Sequence, residues 1–257
     1  MPSTQPDSRQ VGSRARAWHH AEQAAVCDLV SPWAHGTVLR SSLHPHFYDF
    51  NLVRVEDDYP LGVAALEAFA NEALAGLAHR RVDFDVIAAA EPLRAALAAA
   101  GWTSMRLAWM RHVQPPSPAT EAPATVEEVP YDAVAELRLA WHREELPEED
   151  ARFLADARAI AQRFEVRVLA LLEDERPVGF AQLRFAGESA EITHVYVDPD
   201  HRGSGRGAAV TKAAIAACQG VRDLWICADD EGRPKQLYAR LGFRPAWTAM
   251  EYQRILG

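Results

Sequence analysis

The run Val195-Tyr-Val-Asp-Pro-Asp-His-Arg-Gly-Ser-Gly-Arg-Gly-Ala-Ala-Val210 limits more than any other stretch what this chain can fold into. Val195 and Val197 are β-branched and flank Tyr196, a composition suited to extended backbone. Asp198-Pro199 ends the strand, because proline has no N–H for a ladder and favours a turn. Gly203, Gly205 and Gly207 then let the chain turn sharply and leave its amides open to a ligand. From Ala208 to Gln219 the sequence reads as helix. The first amides of a helix have no internal partners and sit at the positive end of its dipole. A glycine turn delivered into such an end is an anion site, most naturally for phosphate. The nucleotide-binding spacings do not fit: there is no Gly-Lys-Ser/Thr of a P-loop, and glycines at 203, 205 and 207 do not make Gly-x-Gly-x-x-Gly.

Around this unit the second half alternates strand and helix in a mixed α/β order. A short strand at Val126–Val129 precedes helices over Tyr131–Glu145 and Glu149–Phe164. Strands follow at Val166–Glu173, Pro177–Phe185 and Ser189–Val197, then the glycine turn and its helix. Asp223–Ala228 reads as strand, Arg233–Leu241 as helix ended by Gly242, and Trp247–Arg254 as the closing strand. In the first half, residues 1–17 read as disordered and Trp18–Leu29 as helix. Strands are expected at Gly36–Arg40 and Phe50–Val55, with a helix from Pro60 to about His79. A strand follows over Val82–Ala88, then a helix over Leu93–Ala100 opened by Pro92 and ended by Gly101, then a strand over Thr103–Arg111. The proline-rich residues 114–125 read as an extended linker. The domains are therefore 1–17 disordered, 18–113, the linker 114–125, and 126–257.

The pattern Arg202-x-x-Gly205-x-Gly207 after Val-Asp-Pro resembles the acetyl-CoA loop of the Gcn5-related N-acetyltransferases (GNAT). Leu237-Tyr-Ala-Arg-Leu-Gly-Phe243 supplies a second motif of that family at the expected distance, and the likeness covers about residues 125–256. The resemblance implies an α/β GNAT fold that transfers an acetyl group from acetyl-CoA to a primary amine of a small molecule or protein N-terminus. It implies CoA contacts from Val195, Tyr196, Val197, Arg202, Gly203, Ser204, Gly205, Arg206, Gly207 and Ala208. Leu97-Ala-Ala-Ala-Gly-Trp102 resembles Tyr238-Ala-Arg-Leu-Gly-Phe243. The first half thus reads as a degenerate second copy, without a glycine loop and without a CoA site.

Tyr238 stands where the family places its general acid, with a packed core tyrosine as the competing role. Glu191 resembles the carboxylate base of histone-type members; an exposed strand carboxylate is its alternative. His194 is a rival base, because imidazole titrates near neutrality; a satisfied histidine with no catalytic part is its alternative and the preferred one. Alternation puts Glu191 and His194 on opposite faces unless a bulge intervenes. Glu144, Glu145, Glu148, Glu149 and Asp150 either border an acceptor site for a cationic amine or form a solvated helix junction. The sequence departs from the family by carrying Asp229-Asp230-Glu231 where many members have an asparagine that contacts CoA. A non-catalytic acyl-CoA-binding module, or a partner-binding scaffold, is the competing reading.

Composition narrows the class. A net charge of −9 argues against general nucleic-acid binding. No apolar run approaches a bilayer span, and the polar N-terminus has no signal core. Cys27, Cys218 and Cys227 have no metal or redox spacing, which suggests reduced thiols in the cytoplasm. His19-His20 and His44-Pro45-His46 lack the partners for a metal site. Lysine occurs only at 212 and 235, as in a GC-rich bacterial genome. A homodimer is left open.

Overall fold

The computed structural model describes residues 8–113, 125–145 and 152–256, and of Ser8 and Glu145 the backbone alone. The chain divides into two compact units. Unit 1 comprises residues 1–110, 228–235 and 245–257, and unit 2 comprises residues 111–227 and 236–244. The units are not continuous in sequence: residues 245–257 cluster with the first half. The reason is strand pairing, since Phe243–Ile255 (β11) runs antiparallel to His79–Phe84 (β4), with Met250 opposite Phe84 and Ile255 opposite His79.

In unit 1, Leu29–Trp33 (β1), Gly36–Arg40 (β2) and Leu52–Val55 (β3) pair antiparallel, and β3 is parallel to β4. The sheet then continues through β11 to Thr103–His112 (β5). The helices Val63–Ala73 (α2), Ile87–Ala90 (α3) and Arg94–Ala99 (α4) join these strands. Val82 and Phe84 point to the face where α2 and α4 bury Leu66, Leu74 and Leu97. Alternation sends Arg81, Asp83 and Asp85 to the other face, which Ser8–Val26 (α1) covers. Gly12 lets α1 approach closely, because a Cβ there would lie 2.7 Å from the Ala246 carbonyl oxygen.

Three sequence expectations change here. Residues 8–17 are helical rather than disordered, since α1 begins at Ser8. β1 was not expected, since Leu29 reads as the end of a helix; it is an edge strand, where its Pro32 is tolerated. β4 begins three residues early, at His79, and every residue in it is buried. Arg81 within it is held by Asp83, Asp49 and Glu251, and burial is tolerable for a charge so paired. Residues 114–124 of the expected linker lie outside the described residues; Thr125 already belongs to the next strand.

In unit 2 the strands Thr125–Val129 (β6), Glu165–Glu173 (β7), Arg176–Ala186 (β8), Ser189–Val197 (β9) and Asp223–Asp229 (β10) stand side by side in that order. β6 to β9 are antiparallel neighbours, and β9 and β10 are parallel. Ala135–Glu145 (α5) packs on one face through Val134, Leu137, Val168, Phe180 and Tyr196. Arg206–Ala217 (α7) buries Val210, Ala214 and Ile215 on the other. Arg152–Ala161 (α6) meets α5 through Phe153, whose ring stacks on His142 at 3.7 Å. Arg233–Arg240 (α8) carries the second family motif. Both halves repeat one order: antiparallel strands, a helix, and a strand parallel to the one before it. Among the described residues no helix is long and apolar enough to cross a membrane.

Candidate functional site

The site begins where β9 stops being an ordinary strand. Its pairing with β10 runs from Ser189–Asp223 to Ile192–Ile226, whereas β9 itself continues to Val197. On its other side, Leu183 faces Ile192 but Gln182 faces His194, so Thr193 is an extra residue. A bulge of this kind bends and twists the strand. Beyond Ile192 the edge toward β10 therefore opens, with Val195, Tyr196 and Val197 along it.

The bulge also resolves the facing of the two candidate bases. With Thr193 unpaired, Glu191 and His194 lie opposite Arg184 and Gln182, and so share a face. Glu191 is buried, not an exposed strand carboxylate. His194 is half-buried, with Trp141 of α5 edge-on at 4.9 Å and its Nδ1 2.9 Å from the Thr193 hydroxyl. Burial, then the guanidinium groups of Arg138 and Arg184, push its pKa down to about 3. It is a neutral imidazole at physiological pH.

After β9, Asp198 caps the turn by accepting from the Asp200 amide at 3.0 Å. Gly203 and Gly205 take φ of +90° and +83°, conformations that favour glycine, and a Cβ at either would meet nothing within 4 Å. Gly205 is the N-cap of α7, which starts at Arg206, two residues before the expected Ala208. The loop is a left-handed turn that opens away from the protein and ends on the first amides of a twelve-residue helix.

The two arginines of the loop are already engaged. Arg202 donates from Nε to the Val197 carbonyl at 2.8 Å and grips both Glu144 oxygens at 2.8 and 2.9 Å. The Tyr196 hydroxyl donates to the same carboxylate at 2.8 Å. Burial raises the Glu144 carboxyl, but Arg202 and Tyr196 outweigh it and hold it below the usual range. Arg206 is bound to Glu173, to Ser204 and to the His201 carbonyl. Of the acidic cluster, Glu144 is thus a partner of the loop. Residues 148–150 lie outside the described residues.

Tyr238 sits on α8, 6% exposed, with its ring 6.2 Å from Phe243 at 62°. Burial, and the neighbouring Cys227, raise its pKa, so it keeps its proton at neutral pH. In unit 1, Asp230 pairs with Arg106 and Lys235, and Glu231 pairs with Arg94. The acids that stand where the family carries asparagine are therefore structural partners.

Residues 165–245 match the family described as acetyltransferase (GNAT) domain. This stretch is a GNAT acetyltransferase domain. Among solved structures, the GCN5-related N-acetyltransferase of Kribbella flavida is similar over 96% of this chain and 96% of its own, with a TM-score of 0.61 at 20% identity. A conserved protein of unknown function from Staphylococcus epidermidis ATCC 12228 is similar over 90% of this chain and 95% of its own, at TM-score 0.67 and 13% identity. At such identities the likeness is one of fold, and it extends the GNAT fold across both halves. No curated protein matches this sequence.

The half-buried imidazole of His194 gives this domain a measurable pH signature. The unfolded His194 takes a proton near pH 6.5 and the folded one only near 3. Its contribution to stability is complete above pH 6.5 and is lost as pH falls toward 3. His194→Gln should therefore flatten the pH dependence of the unfolding free energy between pH 6.5 and 4, by up to about 1.4 kcal/mol per pH unit. Urea denaturation across that range measures it. An unchanged slope would mean that His194 titrates normally.

Proposed function

We propose that unit 2 binds acetyl-CoA along the open edge of β9 and the glycine turn, and that it transfers the acetyl group to a primary amine by direct attack. The observation that carries this reading is the departure of β9 from β10 after Ile192, followed at once by the left-handed glycine turn into α7. A strand edge and a set of helix amides are thereby offered to one extended, phosphate-bearing ligand. The residues present fit such a ligand, because at Gly203 and Gly205 nothing fills the space a side chain would take. When bound, acetyl-CoA supplies the thioester.

In this reading the amides from Gly203 to Ala208 hold the pyrophosphate. The main chain of Val195, Tyr196 and Val197 lies along the pantetheine arm and offers an N–H to the carbonyl oxygen as it gains charge. Arg202 and Arg206 brace the loop through Glu144 and Glu173, so amides rather than free guanidinium groups meet the phosphates. Glu191 receives the amine's proton, directly or through water, and Tyr238 donates one to the departing sulfur. Cys27, Cys218 and Cys227 form no disulfide among the described residues, which fits a cytoplasmic enzyme.

The first half supports no second site of this kind. Its equivalent connection, from Glu56 to Gly62 between β3 and α2, has one glycine, at φ −82°, and carries Glu56, Asp57 and Asp58 where phosphate would lie. Titration calorimetry on the whole chain should give one acetyl-CoA per chain; a stoichiometry of two would overturn the assignment. A broad amine screen with detection of the released thiol should return at least one acceptor. Tight acetyl-CoA binding with no acceptor found would favour a binding module instead.

A further inference from the structure

Arg138 is the most conspicuous charge in unit 2 without an evident purpose. It lies on α5, is 2% exposed, and is among the largest fully buried side chains of the protein. Its guanidinium sits between the rings of Tyr131 and Phe180, with centroids at 4.2 and 5.0 Å. Nη1 donates to Gln182 Oε1 at 2.9 Å. Nε and Nη2 are buried and have no hydrogen-bond partner among the described residues. Among the described residues no carboxylate forms an ion pair with it. Asp132, the acid nearest in influence, is exposed and already paired with Arg158 at 2.9 Å.

Two rings attract a cation but satisfy none of its N–H groups, and an unpaired buried charge is costly. The two idle donors are not a random pair. Nε and Nη2 lie on one edge of the guanidinium plane, the edge that grips a carboxylate with two parallel hydrogen bonds. Through its third nitrogen, Nη1, the same guanidinium is tied to the proposed reaction site. Gln182 accepts from Arg138 and donates from Nε2 to the Thr193 hydroxyl at 3.1 Å, and that hydroxyl meets His194 at 2.9 Å. Thr193 and His194 form the bulge of β9 and, like Trp141, are partly exposed. His194, held neutral, does not compete for an anion, and the second arginine, Arg184, adds to the positive field on the same face.

We propose that Arg138 anchors the carboxylate of the acceptor, so that the amine acetylated by this protein is a free amino acid. The inference rests on the acyl-transfer reading and names the substrate class of its site. Arg138 is a binding residue here: it fixes one end of the acceptor, while the amine reaches β9. An uncharged or polycationic amine would leave the fork empty, and a polycationic one would meet the buried Arg138 and the half-buried Arg184.

The test needs no acceptor known beforehand. The full-length protein is titrated with each of the twenty amino acids and with the matching amino-acid amides, with binding read by thermal shift and calorimetry. At least one amino acid should bind about tenfold or more tightly than its amide, a comparison made on the wild-type protein alone. Arg138→Met, which keeps the length and the packing, and Arg138→Gln should both abolish that preference while leaving acetyl-CoA affinity unchanged. Equal binding of acid and amide, no binding of any amino acid, or an intact preference in both variants would overturn the proposal. If the acids bind in an Arg138-dependent way but acetyl-CoA does not bind, the anchor stands and the acyl-transfer reading falls. If acetyl-CoA binds and amides are acetylated as fast as acids, the reverse holds.

Discussion

Tyr238→Phe is expected to lower turnover by about 10²- to 10⁴-fold, the usual contribution of a positioned acid, while the acetyl-CoA dissociation constant stays within about twofold. The phenyl ring keeps the packing against Phe243, so the fold should survive. What is lost is a hydroxyl whose proton matters only as the carbon–sulfur bond breaks. An interaction made only in the transition state lowers kcat without weakening ground-state binding. The raised pKa of Tyr238 is no obstacle to this role. Burial raises a thiol as well, as it does for Cys218, pushed up to about 11 in the same unit. A departing thiolate in a desolvated site is therefore a stronger base than in water. Single-turnover kinetics with an acceptor from the screen, alongside calorimetry with acetyl-CoA, measures both quantities. A variant that turns over at the wild-type rate would remove Tyr238 from the mechanism.

Gly205→Glu is expected to abolish acetyl-CoA binding. In the wild type, ligand at a hundred times its dissociation constant should stabilise the folded chain by about 2.7 kcal/mol and raise the melting temperature accordingly. The substitution acts in two ways. It forces a non-glycine residue to φ +83°, at a cost of about 1–2 kcal/mol, and it sets a carboxylate at the helix end assigned to phosphate. Gly205→Ala separates the two effects, since it carries the strain without the charge. Nothing lies within 4 Å of its Cβ, so no clash with the protein is added. The alanine variant should melt earlier yet still respond to acetyl-CoA, and the glutamate variant should not respond. Equal thermal shifts for wild type and glutamate variant would move the phosphate site elsewhere.

What the sequence by itself determined lies where structure is made by neighbouring residues. The glycine turn was legible because Asp198-Pro199, Gly203 and Gly205 each impose a local backbone geometry that no distant contact has to supply. The strands of unit 2 and its helix order were legible for the same reason, through alternation and the 3.6-residue period. The likeness of the two halves also showed, in the Gly101-Trp102 and Gly242-Phe243 ends of matching helices. Tertiary structure alone decided the rest. The start of β4 at His79 depends on carboxylates at 49 and 251 that neutralise Arg81, and local pattern contains no trace of them. The place of β11 beside β4 is a choice of partner made over more than 160 residues. The bulge at Thr193 exists only by reference to β8, yet it turns His194 onto the face of Glu191 and opens the edge of β9. Arg138 left one mark in the sequence, a charge in the apolar phase of its helix with Val134, Leu137 and Trp141. Only the folded protein shows that the charge is buried with the two donors of its carboxylate-binding edge unused, because an unmet hydrogen bond is a property of surroundings and not of residue order.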